Sequence, residues 1–102
     1  MPPSTRMKIT TLRWPGAAVL ALSGTFDAST RADFRDACER WLDVPEVREI
    51  RVDLRDVRAL DASVPGILLL ARERARAAGK ELRVANARAT VEEALALSAF
   101  YD

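Results

Sequence analysis

The stretch from Val52 to Leu70 reads Val-Asp-Leu-Arg-Asp-Val-Arg-Ala-Leu-Asp-Ala-Ser-Val-Pro-Gly-Ile-Leu-Leu-Leu. Its first part has the period of a strand. Ile50, Val52 and Leu54 alternate with Arg51, Asp53 and Arg55, which makes one face apolar and the other charged. Its last part is a helix that begins near Ser63 and is apolar from Ile67 to Ala71. Between them, Asp61, Ala62 and Ser63 form a short polar turn at a helix N-terminus. Unpaired backbone N–H groups and the macrodipole there favour an anion or an oxygen acceptor. Two readings of Asp61 and Ser63 follow. One is helix capping, worth about 1 kcal/mol; the other is a docking or regulatory site.

Outward from this stretch, the N-terminal half supplies a hairpin and a helix. Residues 1–6 are polar with two prolines and are expected to be disordered, leaving 7–102 as a single domain. Met7 to Leu12 reads as a strand, with β-branched Ile9, Thr10 and Thr11. Pro15-Gly16 is a tight-turn pair, and Ala17 to Leu22 is the returning antiparallel strand, closed by Ser23-Gly24. A helix follows, with Thr30 and Asp33 placed as a capping box. Phe34, Ala37, Cys38, Trp41 and Leu42 recur at helical spacing as its buried face, so Cys38 is expected to be a buried small hydrophobe.

Pro45 marks the end of the next connection, and the central strand spans about Glu49 to Leu54. Its helix is predicted over Val64–Ala78, with Pro65 in the first turn and Gly79 as the C′ residue. Ile67, Leu70, Ala71, Ala75 and Ala78 are its expected core face, with Arg72, Glu73 and Arg76 toward solvent. Leu82 to Ala85 is a last strand. Val91, Ala94, Leu95 and Ser98 or Ala99 mark a last helix, whose end of the core Phe100 and Tyr101 would cover. No internal repeat or linker interrupts the chain. The order β-β-α-β-α-β-α predicts an α/β fold with a mixed sheet of about four strands and helices mainly on one face.

Composition narrows the function. The chain has 102 residues, 49% hydrophobic and 30% charged, with a formal net charge of +1. That is an ordinary balance for one globular domain and gives no electrostatic case for nucleic acid. A single cysteine excludes an intrachain disulfide. No apolar run has the length of a membrane span and the N-terminus has no secretory h-region, so no membrane insertion and a cytoplasmic location are expected. The absence of histidine removes Ser-His and Cys-His nucleophile pairs and His-containing metal sites. There is no glycine-rich phosphate loop and no metal-ligand cluster. The expectation is a non-enzyme with no catalytic residue, no cofactor and no metal.

Three segments together resemble the STAS domain family, which includes bacterial anti-sigma factor antagonists and regulatory domains of sulfate transporters. The resemblance runs from about Met7 to Phe100. Leu20 to Asp27 is similar to the family's second strand and its L-x-G-x-L-D exit. Val52 to Val57 with Leu60-Asp61 is similar to its central L-D-L-s-x-V-x-x-I-D segment. Gly79 to Val84, Asn86 and then Val91, Leu95 and Leu97 are similar to its G-x-x-L-x-V-x-N segment and last helix.

The resemblance implies a site. In antagonists of the family the turn reads D-S-S-G-L-G or D-S-T-G-L-G, and its first hydroxyl takes phosphate from a partner kinase. Here it reads Asp61-Ala62-Ser63-Val64-Pro65-Gly66. Asp61, Ser63 and Gly66 match; Ala62 stands at the phosphoacceptor position, and Val64 and Pro65 replace glycine and leucine. These six residues are the implied partner-binding and regulatory site. Ser63 is the one remaining candidate for phosphorylation, and it is expected to cap the helix, with Val64 hindering an approaching kinase. The implied function is non-enzymatic binding to an anti-sigma kinase or related switch protein, without the usual phosphoserine switch. The alternative is a STAS subunit on the ATPase of a lipid-transport ABC complex.

Overall fold

In the computed structural model, residues 6–89, 91 and 93 are described. Strand β1 (Lys8–Trp14) turns through Pro15-Gly16 into β2 (Ala17–Phe26). Gly16 takes φ +80°, the left-handed conformation this turn needs and a β-carbon disfavours. A single 3-10 turn (Ala28–Thr30) leads into α1 (Arg31–Glu39), followed by β3 (Glu49–Leu60), α2 (Val64–Ala77) and β4 (Glu81–Ala85). The sheet order is β1-β2-β3-β4, with β1 antiparallel to β2 and the other pairs parallel. This is the mixed four-stranded α/β sheet that the element order predicts. Ala89, Val91 and Glu93 are helical, and Val91 is buried; the remainder of the expected last helix lies outside the described residues.

The alternation in β3 decides which face is covered. Ile50, Val52, Leu54 and Val57 are fully buried, in one cluster with Ala18, Leu20, Leu22 and Phe26 of β2 and Leu82 of β4. Phe34 and Cys38 of α1 and Val64, Ile67, Leu68 and Ala75 of α2 belong to that cluster, so both helices cover the same face. The other face carries exposed Lys8, Thr10, Arg51, Arg55, Glu81 and Arg83.

Three local expectations are corrected. The second strand does not close at Ser23-Gly24: it continues to Phe26, pairing with a longer β3 as far as Leu60, with register shifts between Ala21 and Ser23 and between Gly24 and Thr25. Gly24, at φ +90°, absorbs one of those shifts. The capping box is one turn earlier than Thr30 and Asp33. The Asp27 carboxylate accepts the Ser29 N–H at 2.9 Å, and the Thr30 hydroxyl oxygen accepts the Asp27 N–H at 3.1 Å. On α2 the core face is rotated. Val64, Pro65, Ile67, Leu68 and Ala75 are buried, whereas Leu70 is 53% exposed, Ala78 is exposed beyond the helix end, and Arg72 is half-buried. Four consecutive apolar residues, Ile67 to Leu70, leave the helical phase undetermined until the sheet selects one side.

At the far end of α2 the chain closes in a Schellman arrangement. Gly79 lies at φ +75°, its N–H donates to Arg76, and the Lys80 N–H donates to Ala75. Lys80 itself is buried, and its ammonium donates to the backbone carbonyls of Val44 at 2.8 Å and Val47 at 2.5 Å. That staple ties the entrance of β4 to the loop that enters β3. Trp41 and Leu42 follow the end of α1 and pack half-buried against the core, with the Arg13 guanidinium 5.2 Å from the Trp41 ring centroid.

Candidate functional site

Strands β2 and β3 end in register, Phe26 beside Leu60. The turns that follow them therefore emerge side by side at the carboxyl ends of two parallel strands, where α/β sheets commonly place their sites. One turn is Asp27-Ala28-Ser29 and the other Asp61-Ala62-Ser63, the same tripeptide twice. Each folds the same way. Asp27 accepts the Ser29 N–H at 2.9 Å and the Ser29 hydroxyl at 2.6 Å. Asp61 accepts the Ser63 N–H at 2.9 Å and, through the same oxygen, the Ser63 hydroxyl. Aspartate beside its own following backbone makes this turn because its short carboxylate reaches the N–H two residues on.

The two turns are also tied to each other. The second carboxylate oxygen of Asp61 accepts the Ala28 N–H at 3.3 Å, and the Asp61 N–H donates to the Phe26 carbonyl at 3.2 Å. Asp61 thus holds both strand ends together. Its carboxyl lies below the ordinary aspartate value, first because the Ser63 hydroxyl stabilises the charged form, then because of the Ser63 and Ala28 N–H groups.

This geometry revises two roles expected from sequence. Ser63 does not cap α2: its side chain makes no capping bond and instead donates to Asp61. Nor do all six residues Asp61 to Gly66 form one surface. Asp61, Ala62, Ser63 and Gly66 are exposed, but Val64 and Pro65 are buried and anchor the first turn of α2 in the core. Val64 therefore presents no obstacle to an approaching protein. Gly66 is open: nothing lies within 4 Å of where a β-carbon would stand. Asp27, Ala28 and Ser29 join the surface, although their local pattern reads only as the approach to a helix. The repeated Asp-Ala-Ser is the signal in the sequence that could have found them.

Two carboxylates, each occupied by its own serine, leave a compact acidic surface with bare alanine methyls at Ala28 and Ala62. Among the described residues no group of three or more His, Cys, Asp or Glu side chains could hold a metal ion. No helix among them is long and apolar enough to cross a membrane. Cys38, remote from this surface, has its thiol pushed up to about 12 by burial and then by the Glu39 charge, as befits a core residue.

A mixed four-stranded sheet with its helices on one face recurs in solved structures of anti-sigma factor antagonists. The structure superposes on the unphosphorylated anti-sigma factor antagonist SpoIIAA with a TM-score of 0.77, at 17% identity, covering 91% of this chain and 82% of that one. It superposes on an anti-sigma factor antagonist from Mycobacterium paratuberculosis with a TM-score of 0.80, at 18% identity, covering 97% and 83%. The same fold is a small part of a murine solute carrier 26 anion transporter, where the match has a TM-score of 0.73 at 14% identity and covers 84% of this chain but 14% of that one.

Sequence carries the identification further. Residues 10–102 match the family described as Mlab, STAS domain, and the chain is 40% identical over 81 residues to a STAS-domain-containing protein of Pseudomonas aeruginosa, covering 79% of this chain and 78% of that one. The chain belongs to the STAS family.

Proposed function

We propose that this STAS domain acts by binding a protein partner through the paired turns Asp27–Ser29 and Asp61–Ser63 together with Gly66, without catalysis and without the phosphoserine switch of its family. The observation that carries the reading is Ala62. It occupies the position of the family's phosphoacceptor, is exposed, and has no oxygen to accept phosphate. Ser63 is a poor substitute, because its hydroxyl is engaged by Asp61. A phosphate there would bring nearly two negative charges against that carboxylate. The surface stays in one charge state, and a partner that reads it is not released by phosphorylation. A cytoplasmic partner of the anti-sigma kinase type, or a related switch protein, suits such a surface. A STAS subunit seated on the ATPase of a lipid-transport ABC complex is the second reading, favoured by the same lack of a switch: permanent docking is what a structural subunit needs.

Affinity capture from the native host, followed by mass spectrometry of both partner and bait, tests the proposal. A kinase-like or ATPase partner whose capture is lost with Ser63→Arg, at unchanged thermal stability, supports it. Stoichiometric phosphate on Ser63 that abolishes capture refutes the unswitched reading. Equal capture by Ser63→Arg moves the site elsewhere.

A further inference from the structure

Helices α1 and α2 lie on the same face of the sheet but do not close on each other. Arg31, Arg35, Cys38, Glu39 and Leu42 of α1 and its exit turn recur at helical spacing along the side facing α2. Ile67, Leu70, Ala71 and Arg74 recur likewise along the facing side of α2. Between them is a cleft of about 240 Å³, floored by Phe34, Cys38 and Ile67. The rotation of α2 that takes Leu70 off the core puts it on this wall, where it is left 53% exposed. An aliphatic side chain of that size, half in water beside an apolar hollow, is what an apolar ligand would cover.

Among the described residues, three arginines, Arg31, Arg35 and Arg74, and one acid, Glu39, are the charged residues lining the cleft. Glu39 is taken by Arg74, and this ion pair bridges the two helices at the C-terminal end of α1. At the other end Arg31 takes part in none of the ion pairs among the described residues, and Arg35 meets only its neighbour Asp36, at 3.3 Å. With Glu39 engaged by Arg74, Arg31 and Arg35 are the charged side chains lining the other end of the cleft. A guanidinium favours carboxylate and phosphate oxygens, which it engages in pairs.

We propose that the α1–α2 cleft binds a medium-chain amphiphilic anion, its alkyl chain against Phe34, Ile67 and Leu70 and its carboxylate or phosphate head between Arg31 and Arg35. Size sets the chain length. An apolar cavity of about 150 Å³ holds a benzene ring, so this larger one accommodates a chain of about six to ten carbons. A cleft of this size is too small for the drug-sized ligands that fill typical pockets. The site is distinct from the paired turns, so its failure would leave the docking proposal untouched.

The test is a titration of the full chain with hexanoate, octanoate, octyl phosphate and octanol, read by amide and methyl NMR shifts. Saturable shifts at Phe34, Ile67 and Leu70 are expected, with affinity rising about fourfold per methylene until the cleft is full. Octanoate is expected to bind at least tenfold more tightly than octanol. Arg31→Glu with Arg35→Glu, both exposed and outside the core, should abolish that preference while leaving octanol binding within threefold. Ala71→Trp should block all four ligands; a circular dichroism melt confirms that the variant is folded, and the arginine variants decide the matter if it is not. Octanoate and octyl phosphate distinguish carboxylate from phosphate as the preferred head. Absence of saturable binding, shifts that map elsewhere, or equal affinity for octanoate and octanol overturns the proposal. So does a concentration-dependent dimer that buries Leu70, since a second copy would then be the occupant.

Discussion

Replacing Lys80 probes the staple between the β3 and β4 entrances. Lys80→Met keeps most of the aliphatic stem and removes the ammonium, which donates to Val44 at 2.8 Å and Val47 at 2.5 Å. Hydrogen bonds to charged groups contribute about 1.5–3 kcal/mol each, but a buried ammonium also loses its hydration. Val44 retains a second donor, the Val47 N–H at 3.0 Å, so the variant's main defect is the carbonyl of Val47. A carbonyl left buried without its partner costs about 1–3 kcal/mol, which gives a net destabilisation of about 2 kcal/mol. Lys80→Ala also withdraws three methylenes from a residue only 7% exposed, adding about 0.8 kcal/mol each and taking the loss to roughly 4 kcal/mol. Urea unfolding followed by circular dichroism reads both. With a slope of about 1 kcal/mol per molar, Lys80→Met should move the midpoint down by about 2 M at unchanged slope, and the melting temperature by about 8–16 °C. A Lys80→Met protein within about 0.5 kcal/mol of the parent would show that desolvation cancels both hydrogen bonds, and the staple would then contribute nothing to stability.

Ala62→Ser should restore the missing acceptor: incubated with the captured kinase and ATP, the variant is expected to take phosphate on the introduced hydroxyl while the parent takes none, as peptide mass spectrometry would show. Ser63→Ala should raise the Asp61 carboxyl back toward the ordinary aspartate value, because the hydroxyl that stabilises its charge is gone; side-chain carboxyl NMR across a pH titration reads the change. The same sign predicts that Asp61 favours the folded state above its unfolded value and that this contribution fades as pH falls through its lowered folded value. Cys38 carries the opposite sign. With the folded thiol at about 12 and a reference of 9.0, only the unfolded chain sheds the proton between those values, so stability should fall by up to about 1.4 kcal/mol per pH unit across that window. The loss should be absent from Cys38→Ala, the difference between the two unfolding curves being the measurement.

Much of the fold is written locally. The strict alternation from Ile50 to Leu54 names the buried face of β3 without reference to any neighbour, because successive side chains of a strand point to opposite sides. Pro15-Gly16 and Gly79 mark their turns because the required backbone angles are penalties for most other residues. Phe34 and Cys38 identify the buried side of α1 because polar residues surround them. The family resemblance was legible for the same reason, in short segments that each carry their own pattern.

Other features depended on partners distant in the chain. The length of β2 was hidden because Ser23 to Phe26 become a strand by pairing with residues distant in the chain, Asp56 to Leu60 above all. The phase of α2 was hidden because Ile67 to Leu70 are uniformly apolar, and only contact with the sheet decides that Leu70 is the one left out. Nothing in its local sequence marks Lys80 as buried; the fold brings two distant carbonyls to its ammonium. The site shows the division most clearly. Asp61 and Ser63 announce a polar turn by themselves. That the turn is doubled, with Asp27 and Ser29 beside it and the Ala28 N–H on the Asp61 carboxylate, follows from the parallel register of Phe26 with Leu60. Local sequence determines which residues can make a turn; the register between strands, a sum of many distant pairings, determines which turns meet.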